Sequence, residues 1–427
     1  MKVKQILWTI LFVASSSVSA VKFENNSLQN LVGLAWTLLE KSSSFVPMHP
    51  DTKLNVPQFL AKYHYPLECH DVTTEDGYIL TMHRIPHGRR DTKSDSEKPV
   101  VFFKHCFMCS SRDWLLLGPT RSLPMILADQ GYDVWLANTR GNLHSMKHKT
   151  LNPDTDSQFW DFSFHEKGYY DLPASIDYVI ETTKSEKITY IGHSQGTTEA
   201  MVLTSTRPEY NEKFYSMILL SPVVYLEHVK SPLILLMTQY RQEVESFLYG
   251  NNIYGIPWNP WISVFAQKAC NIISPFHHIC VNILELIIGY DLPQLDRFLL
   301  TVLLSYTPAG FSVKELIHFG QAITSGEFKQ FDYGLMNSQK YGRETSPVYD
   351  VSKITAPIIT YYGKNDYLVD VLDVEKFMNQ LPTKPEAHLI EWELFNHFDF
   401  IFAKNVKRLL YDSVIDVVNK YNKFVNK

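Results

Sequence analysis

Short apolar blocks separated by polar, glycine or proline breaks run along the chain, and their spacing changes twice. Between residues 66 and 224 the blocks are strand-sized. "YILTMHRI" (78–85) alternates apolar with polar positions and follows Glu75-Asp76-Gly77, which predicts two short strands about a turn. "PVVFFKH" (99–105) is β-branched and aromatic and reads as a buried strand. "ILADQGYDVWLANTRG" (126–141) reads as a helix end, a glycine stop and another buried strand. "KGYYDLPASIDYVIETT" (167–183) predicts a helix with Pro173 in its first turn, where a missing N–H is harmless. "EKITYIGHSQGTTEAMVLTST" (186–206) predicts strand, tight turn and helix, and "KFYSMILLSPVV" (213–224) the next strand. Apolar strands alternating with helices predict an α/β domain around a mostly parallel sheet.

Near residue 225 the period changes to a helical one. "LILLMTQYRQEVESFLYG" (233–250), "CVNILELIIGYD" (280–291), "LDRFLLTVLLSYT" (295–307) and "FSVKELIHFGQAITSG" (311–326) are helix-like. The β/α pattern then resumes with "APIITYYGKNDYLVD" (356–370), a helix in "VEKFMNQLP" (374–382), a strand in "AHLIEWEL" (387–394) and a final helix from about 400. The expectation is one α/β domain, 21–224 and 351–427, interrupted by a helical cap over 225–350.

The N-terminus adds a destination. "MKVKQILWTILFVASSSVSA" has two lysines, an apolar run and a small-residue end, the form of a secretory signal peptide over residues 1–20. Its apolar run is too short to span a bilayer, and no later run qualifies, so an exported protein without a transmembrane span is expected. Export permits disulfides and glycosylation, the latter at Asn25 in "NNS". A net charge of −5 gives no reason to expect a nucleic-acid partner.

Gly192-His193-Ser194-Gln195-Gly196 is a G-x-S-x-G between a predicted strand and a predicted helix. Such an elbow presents the serine at a sharp turn, and Gly192 and Gly196 supply the room it needs. A nucleophilic serine needs a base and an orienting acid, following in the order Asp then His. Asp366 lies just past the strand "IITYY", and His397 just past the strand-like "HLIEWEL". Asp370 is the rival acid, but its place before "VLDVEKF" suits a helix N-cap. His277 and His278 lie in the insertion and are poorer bases.

The separate motifs "DGYILTMHRIPHG" (76–88), "SSRDW" (110–114), "GYDVWLANTRGN" (131–142), "YDLPASIDYV" (170–179), "GHSQGT" (192–197), "HFGQAITSGEFKQFDYG" (318–334) and "NHFDF" (396–400) occur in one order. In these the chain resembles the acid lipase family of α/β-hydrolases, from about Pro66 to the C-terminus. The resemblance implies the α/β-hydrolase fold and the triad Ser194, Asp366 and His397. It implies an oxyanion hole from the backbone N–H groups of Phe107 and Gln195, and a disulfide between Cys270 and Cys280. It also implies neutral lipid esters as substrates, triacylglycerols and cholesteryl esters, at a lipid–water interface, with an acidic working pH and a mobile lid. No metal or organic cofactor is expected, and the protein is expected to act as a monomer, secreted or, alternatively, lysosomal.

One departure stands out. "HCFMC" (105–109) puts Cys106 where the family has glycine. If the backbone there needed positive φ, cysteine would strain it and misplace Phe107. A redox dithiol, a zinc site with His105, and a local disulfide are all weighed for Cys106 and Cys109, and two buried free thiols is the preferred reading. Cys69 is expected to stay free or to pair with one of these loop thiols. Two rival functions follow: an esterase for small soluble esters, and a lipid-binding homologue weakened by Cys106.

Overall fold

The structure is a computed structural model that describes residues 48–90 and 98–422. The predicted leader and Asn25 lie outside the described residues. Helix α1 (Val56–Lys62) leads into strands β1 (Glu68–Thr73) and β2 (Tyr78–Ile85), which turn about Gly77 at φ 98°. Then come β3 (Val100–Lys104), α2 (Leu123–Asp129), β4 (Asp133–Ala137) and a two-residue β5 (Lys147–His148). Next are α3 (Leu172–Thr183), β6 (Ile188–His193), α4 (Gln195–Thr206) and β7 (Phe214–Leu220).

The insertion holds α5 (Pro232–Gln239), α6 (Arg241–Gly250), β8 (Gly255–Pro257), α7 (Pro260–Cys270), α8 (His277–Ile288), β9 (Gly310–Ser312) and α9 (Val313–Ser325). The chain closes with β10 (Ile358–Tyr362), α10 (Val371–Met378), β11 (Glu386–Leu389) and α11 (Asp412–Tyr421).

Among the described residues one sheet runs β1-β2-β4-β3-β6-β7-β10-β11, with β5 paired to β2. β1, β2 and β4 pair antiparallel, and from β4 to β11 every pairing is parallel. The α/β expectation holds. All residues of β3, β4, β6 and β10 are buried, as strands covered on both faces must be. Each fully buried Leu, Ile or Phe contributes about 1.5–3 kcal/mol to this core. The open edges differ: β1 and β11 are largely exposed and alternate.

Three details depart from the pattern reading, the first being that the helix-like run 295–307 is α-helical only over Leu300–Leu303. The run expected as one helix over 233–250 breaks at Tyr240, giving α5 and α6. The strand expected over 387–394 ends at Leu389, and the following residues turn inward to carry the loop with His397. The insertion is helical apart from the small antiparallel pair β8–β9. No described helix is long and apolar enough to cross a membrane.

Candidate active site

The parallel order brings the C-terminal ends of β3, β6, β7 and β10 together, and the site is built on the loops leaving them. After β6 the backbone reverses at Ser194, with φ 54° and ψ −120°, and α4 begins at once. The flanking glycines are sterically required. A Cβ on Gly192 would lie 3.0 Å from the Gly196 carbonyl, and one on Gly196 would lie 2.6 Å from the Lys104 carbonyl. Tyr190 Oη donates to the Gly196 carbonyl at 2.6 Å, and Ser194 N–H to the Leu220 carbonyl at 3.0 Å, so both sides of the turn are held.

Ser194 Oγ lies 2.8 Å from His397 Nε2. His397 Nδ1 lies 2.9 Å and 3.1 Å from the two carboxylate oxygens of Asp366. All three side chains are buried. Asp366 also accepts from the N–H groups of Leu368 (2.9 Å) and Val369 (3.0 Å). Burial pushes the Asp366 carboxyl up, but the His397 ring, the Ser221 hydroxyl and the Val369 N–H outweigh it and hold the acid below the usual carboxylate value.

Asp370 instead caps α10, accepting from Leu372 N–H at 2.9 Å, and pairs with Lys230 at 2.6 Å. His193 points away from the serine. Its Nε2 donates to the His397 carbonyl at 3.0 Å, and burial lowers its pKa to about 3, so it is neutral. His277 serves the insertion, bonded to the Cys270 carbonyl at 2.8 Å.

Sequence reasoning missed Ser221. Just past β7, its Oγ donates to Asp366 at 2.6 Å and lies 3.0 Å from His397 Nδ1, with its own backbone at φ 51°. Positive φ on a non-glycine residue is uncommon, and its only sequence signal is a serine ending an otherwise apolar strand. The buried pair Lys104–Glu199 (3.0 Å) was missed too. Glu199 also accepts from Gln195 Nε2 at 2.7 Å, which ties the nucleophile's neighbour to β3. A charged residue inside the buried face of α4 was the available signal.

The "HCFMC" loop corrects the preferred reading: Cys106 and Cys109 are not free thiols but form a disulfide. Cys109 N–H donates to the Cys106 carbonyl at 3.2 Å, closing a turn that brings the two Cα atoms to 5.2 Å, within disulfide span. The left-handed residue is Met108, at φ 61°, and not Cys106. Cysteine in place of glycine at 106 therefore carries no left-handed strain, which moves to Met108 at a cost of about 1 kcal/mol. The zinc reading falls as well, because both thiols are bonded and His105 is tied to the Cys106 carbonyl (2.8 Å) and Asn142 (3.2 Å). Cys69 is free and exposed on β1, and Cys270–Cys280 is a second disulfide, joining α7 to α8.

The loop lies against the start of α4, since a Cβ on Gly196 would also meet the His105 carbonyl at 3.1 Å. The N–H groups of Phe107 and Gln195 donate to no acceptor among the described residues. Above them opens a cavity with Ser194, Thr238 and Arg241 in its wall and otherwise apolar, including Phe107, Leu226, Met237, Phe319 and Leu368. Glu227, His228 and Asp373 are the described side chains close enough together to share a metal ion; they lie outside this cavity's lining, and two of the three are exposed.

Comparison with known proteins now decides the family. Residues 56–118 match the family described as "Partial alpha/beta-hydrolase lipase region", and residues 99–259 match "alpha/beta hydrolase fold". The chain is 42% identical to "Lipase 3" of Drosophila melanogaster over 359 residues, covering 84% of this chain and 91% of that one. It is 37% identical to "Lipase member K" of Homo sapiens, covering 87% and 92%. It is 35% identical to human "Gastric triacylglycerol lipase", covering 88% and 94%. The chain belongs to the acid-lipase branch of the α/β-hydrolases. A soluble variant of monoglyceride lipase from Saccharomyces cerevisiae shares the fold, with a TM-score of 0.50 at 14% identity over 88% of this chain and 99% of that one. This acid-lipase chain is thus a hydrolase of carboxylic esters. Cys106 itself is not among the residues with positive φ.

Proposed function

We propose that this acid-lipase chain hydrolyses neutral lipid esters through an acyl-enzyme on Ser194. His397 takes the Ser194 proton as the oxygen attacks the ester carbonyl, and Asp366 holds the ring's tautomer and balances its charge. The carbonyl oxygen, becoming negative, receives the N–H groups of Phe107 and Gln195, the latter at the positive end of α4. His397 then protonates the leaving alcohol, and water repeats the cycle on the acyl-enzyme. The observation that carries this reading is the 2.8 Å contact between Ser194 Oγ and His397 Nε2 in the wall of an apolar cavity.

Two features support long acyl chains of triacylglycerols and cholesteryl esters over small soluble esters. The cavity offers an acyl chain a dry lining with few polar groups. On the insertion, α7 and α8 and the turn between them expose Trp261, Ile273, Ile279, Ile283 and Leu286, a patch suited to a lipid–water interface. In this reading 225–350 is a cap on the catalytic domain formed by 21–224 and 351–427, and the chain acts outside the cytosol, secreted or lysosomal.

The test is fatty acid release from a triolein emulsion by the chain expressed from residue 21 through a secretory route, beside a short soluble ester. Release from the emulsion that disappears in Ser194→Ala is the expected result. Hydrolysis of the short ester alone would replace the reading with a small-ester esterase. No serine-dependent release from either substrate would overturn it.

A further inference from the structure

We propose that the Cys106–Cys109 disulfide is a positioning device for the oxyanion donor, doing with a covalent bond what glycine does by conformational freedom. The inference rests on the reading of Ser194 as nucleophile and Phe107 N–H as donor. The bond brackets Phe107 and Met108, the middle residues of the turn. Met108 sits at φ 61°, a region that glycine enters freely and methionine does not. No glycine lies between His105 and Cys109 to hold the turn in that shape.

The Phe107 N–H shares its peptide plane with the Cys106 carbonyl, which is held by His105 and by the Cys109 N–H, and the second of these bonds lasts only while the turn keeps its shape. His105 Nδ1 bonds the Cys106 carbonyl at 2.8 Å, and Ala309 N–H donates to the Met108 carbonyl at 2.7 Å. The Phe107 ring packs on Phe311 and Phe319 at 5.2 Å and 5.4 Å. Breaking the sulfur bridge lets Met108 relax toward negative φ, which turns the Phe107–Met108 peptide and loosens the Cys109 N–H bond to the Cys106 carbonyl, on the peptide that carries the Phe107 N–H. An oxyanion donor must meet the oxygen at hydrogen-bond distance, so a small rotation is enough to lose it.

The test compares wild type, Cys106→Ser/Cys109→Ser and the same pair with Met108→Gly added. The readouts are kcat, KM and the affinity of a trifluoromethyl ketone, whose adduct with Ser194 places an oxyanion in the hole. The double serine variant should lose about 10- to 100-fold in kcat and a similar factor in ketone affinity, with KM within about twofold. Met108→Gly should restore much of both losses, because glycine holds the left-handed position unaided. Unchanged kcat and ketone affinity, or an equal loss in KM without rescue by glycine, overturns the proposal. Ser194→Ala run in parallel separates the two levels: turnover that survives it overturns the reading of the site itself.

If the serine pair does not fold, Cys270→Ser/Cys280→Ser leaves this bridge as the sole disulfide among the chain's cysteines. Folded enzyme is then titrated with a phosphine reductant; at each point one aliquot is alkylated with iodoacetamide so that open thiols are counted by mass, and an untrapped aliquot is assayed and then reoxidised. Activity that falls in step with opening and returns on reoxidation supports the proposal. Full activity with the bridge open refutes it.

Discussion

The floor of the cavity and the exposed face of α7 and α8 (the roof), which does not line it, invert the usual placement of residues in opposite ways. The floor buries Ser194, Ser221, Asp366 and His397, polar groups that are costly to remove from water. It meets that cost by bonding them to one another and to backbone N–H groups. The roof exposes Trp261 at 69%, Ile273 at 60% and Ile279 at 58%, apolar groups that folding alone would hide. No described residue covers them. The contrast teaches where to look for function: a polar cluster satisfied internally serves chemistry, while an apolar patch left unsatisfied awaits a partner.

Substitutions should separate the two regions. The largest effect belongs to the floor: Ser194→Ala should reduce turnover by about 10⁴-fold or more on every ester, emulsified or soluble. Ser221→Ala comes next, removing a hydrogen bond to a charged group, and should lower kcat/KM about 10-fold. It should also move the acid side of the pH–rate profile. The folded-state pKa of Asp366 is depressed, so its contribution is present above the unfolded value and lost as pH falls through the folded one. Without the Ser221 donor that loss begins at a higher pH. A profile shifted the other way would remove Ser221 from any part in holding Asp366.

On the roof, Ile279→Ser with Ile283→Ser should lower triolein emulsion turnover about 5-fold, from roughly 1 kcal/mol of lost interfacial burial. Hydrolysis of a soluble short ester should stay within about twofold. Equal losses on both substrates would make the patch part of the site rather than a docking face.

The smallest effect concerns a buried carboxyl in α9. Burial pushes Glu315 up to about 7, against the pull of Lys167. A raised acid contributes stability below its unfolded pKa and loses it as pH rises through the folded one, here between about 4.5 and about 7. Glu315→Gln should therefore flatten the fall in melting temperature that wild type shows between about pH 4.5 and 7.5, read by calorimetry.

The floor was more legible than the roof for a physical reason. Gly192 and Gly196 are demanded by contacts under 3.1 Å, and such steric demands write themselves into the local sequence. Asp366 and His397 follow their strands in the order that a parallel sheet imposes. Ser221 gave little signal, because its role arises where the loops after β7 and β10 meet. The Cys106–Cys109 bond was hidden because two cysteines three apart can pair only when the intervening turn has the right shape, and here a methionine adopts it. The roof's apolar residues have the same helical spacing as core residues, so periodicity alone cannot tell an exposed face from a buried one. The break at Tyr240 carried no proline or glycine to mark it.

The stem of α8 carries a last consequence. The Ile288 carbonyl accepts from the N–H groups of both Tyr367 and His397 at 3.3 Å, and Asn396 Nδ2 donates to the Gly289 carbonyl at 2.9 Å. A Cβ on Gly289 would stand 2.2 Å from the Asn365 carbonyl. The middle of the 225–350 segment is thus spliced into the loops that carry Asp366 and His397. A chimera that exchanges 225–350 between relatives therefore also exchanges Ile288 and Gly289, and with them the supports of the loops that carry Asp366 and His397.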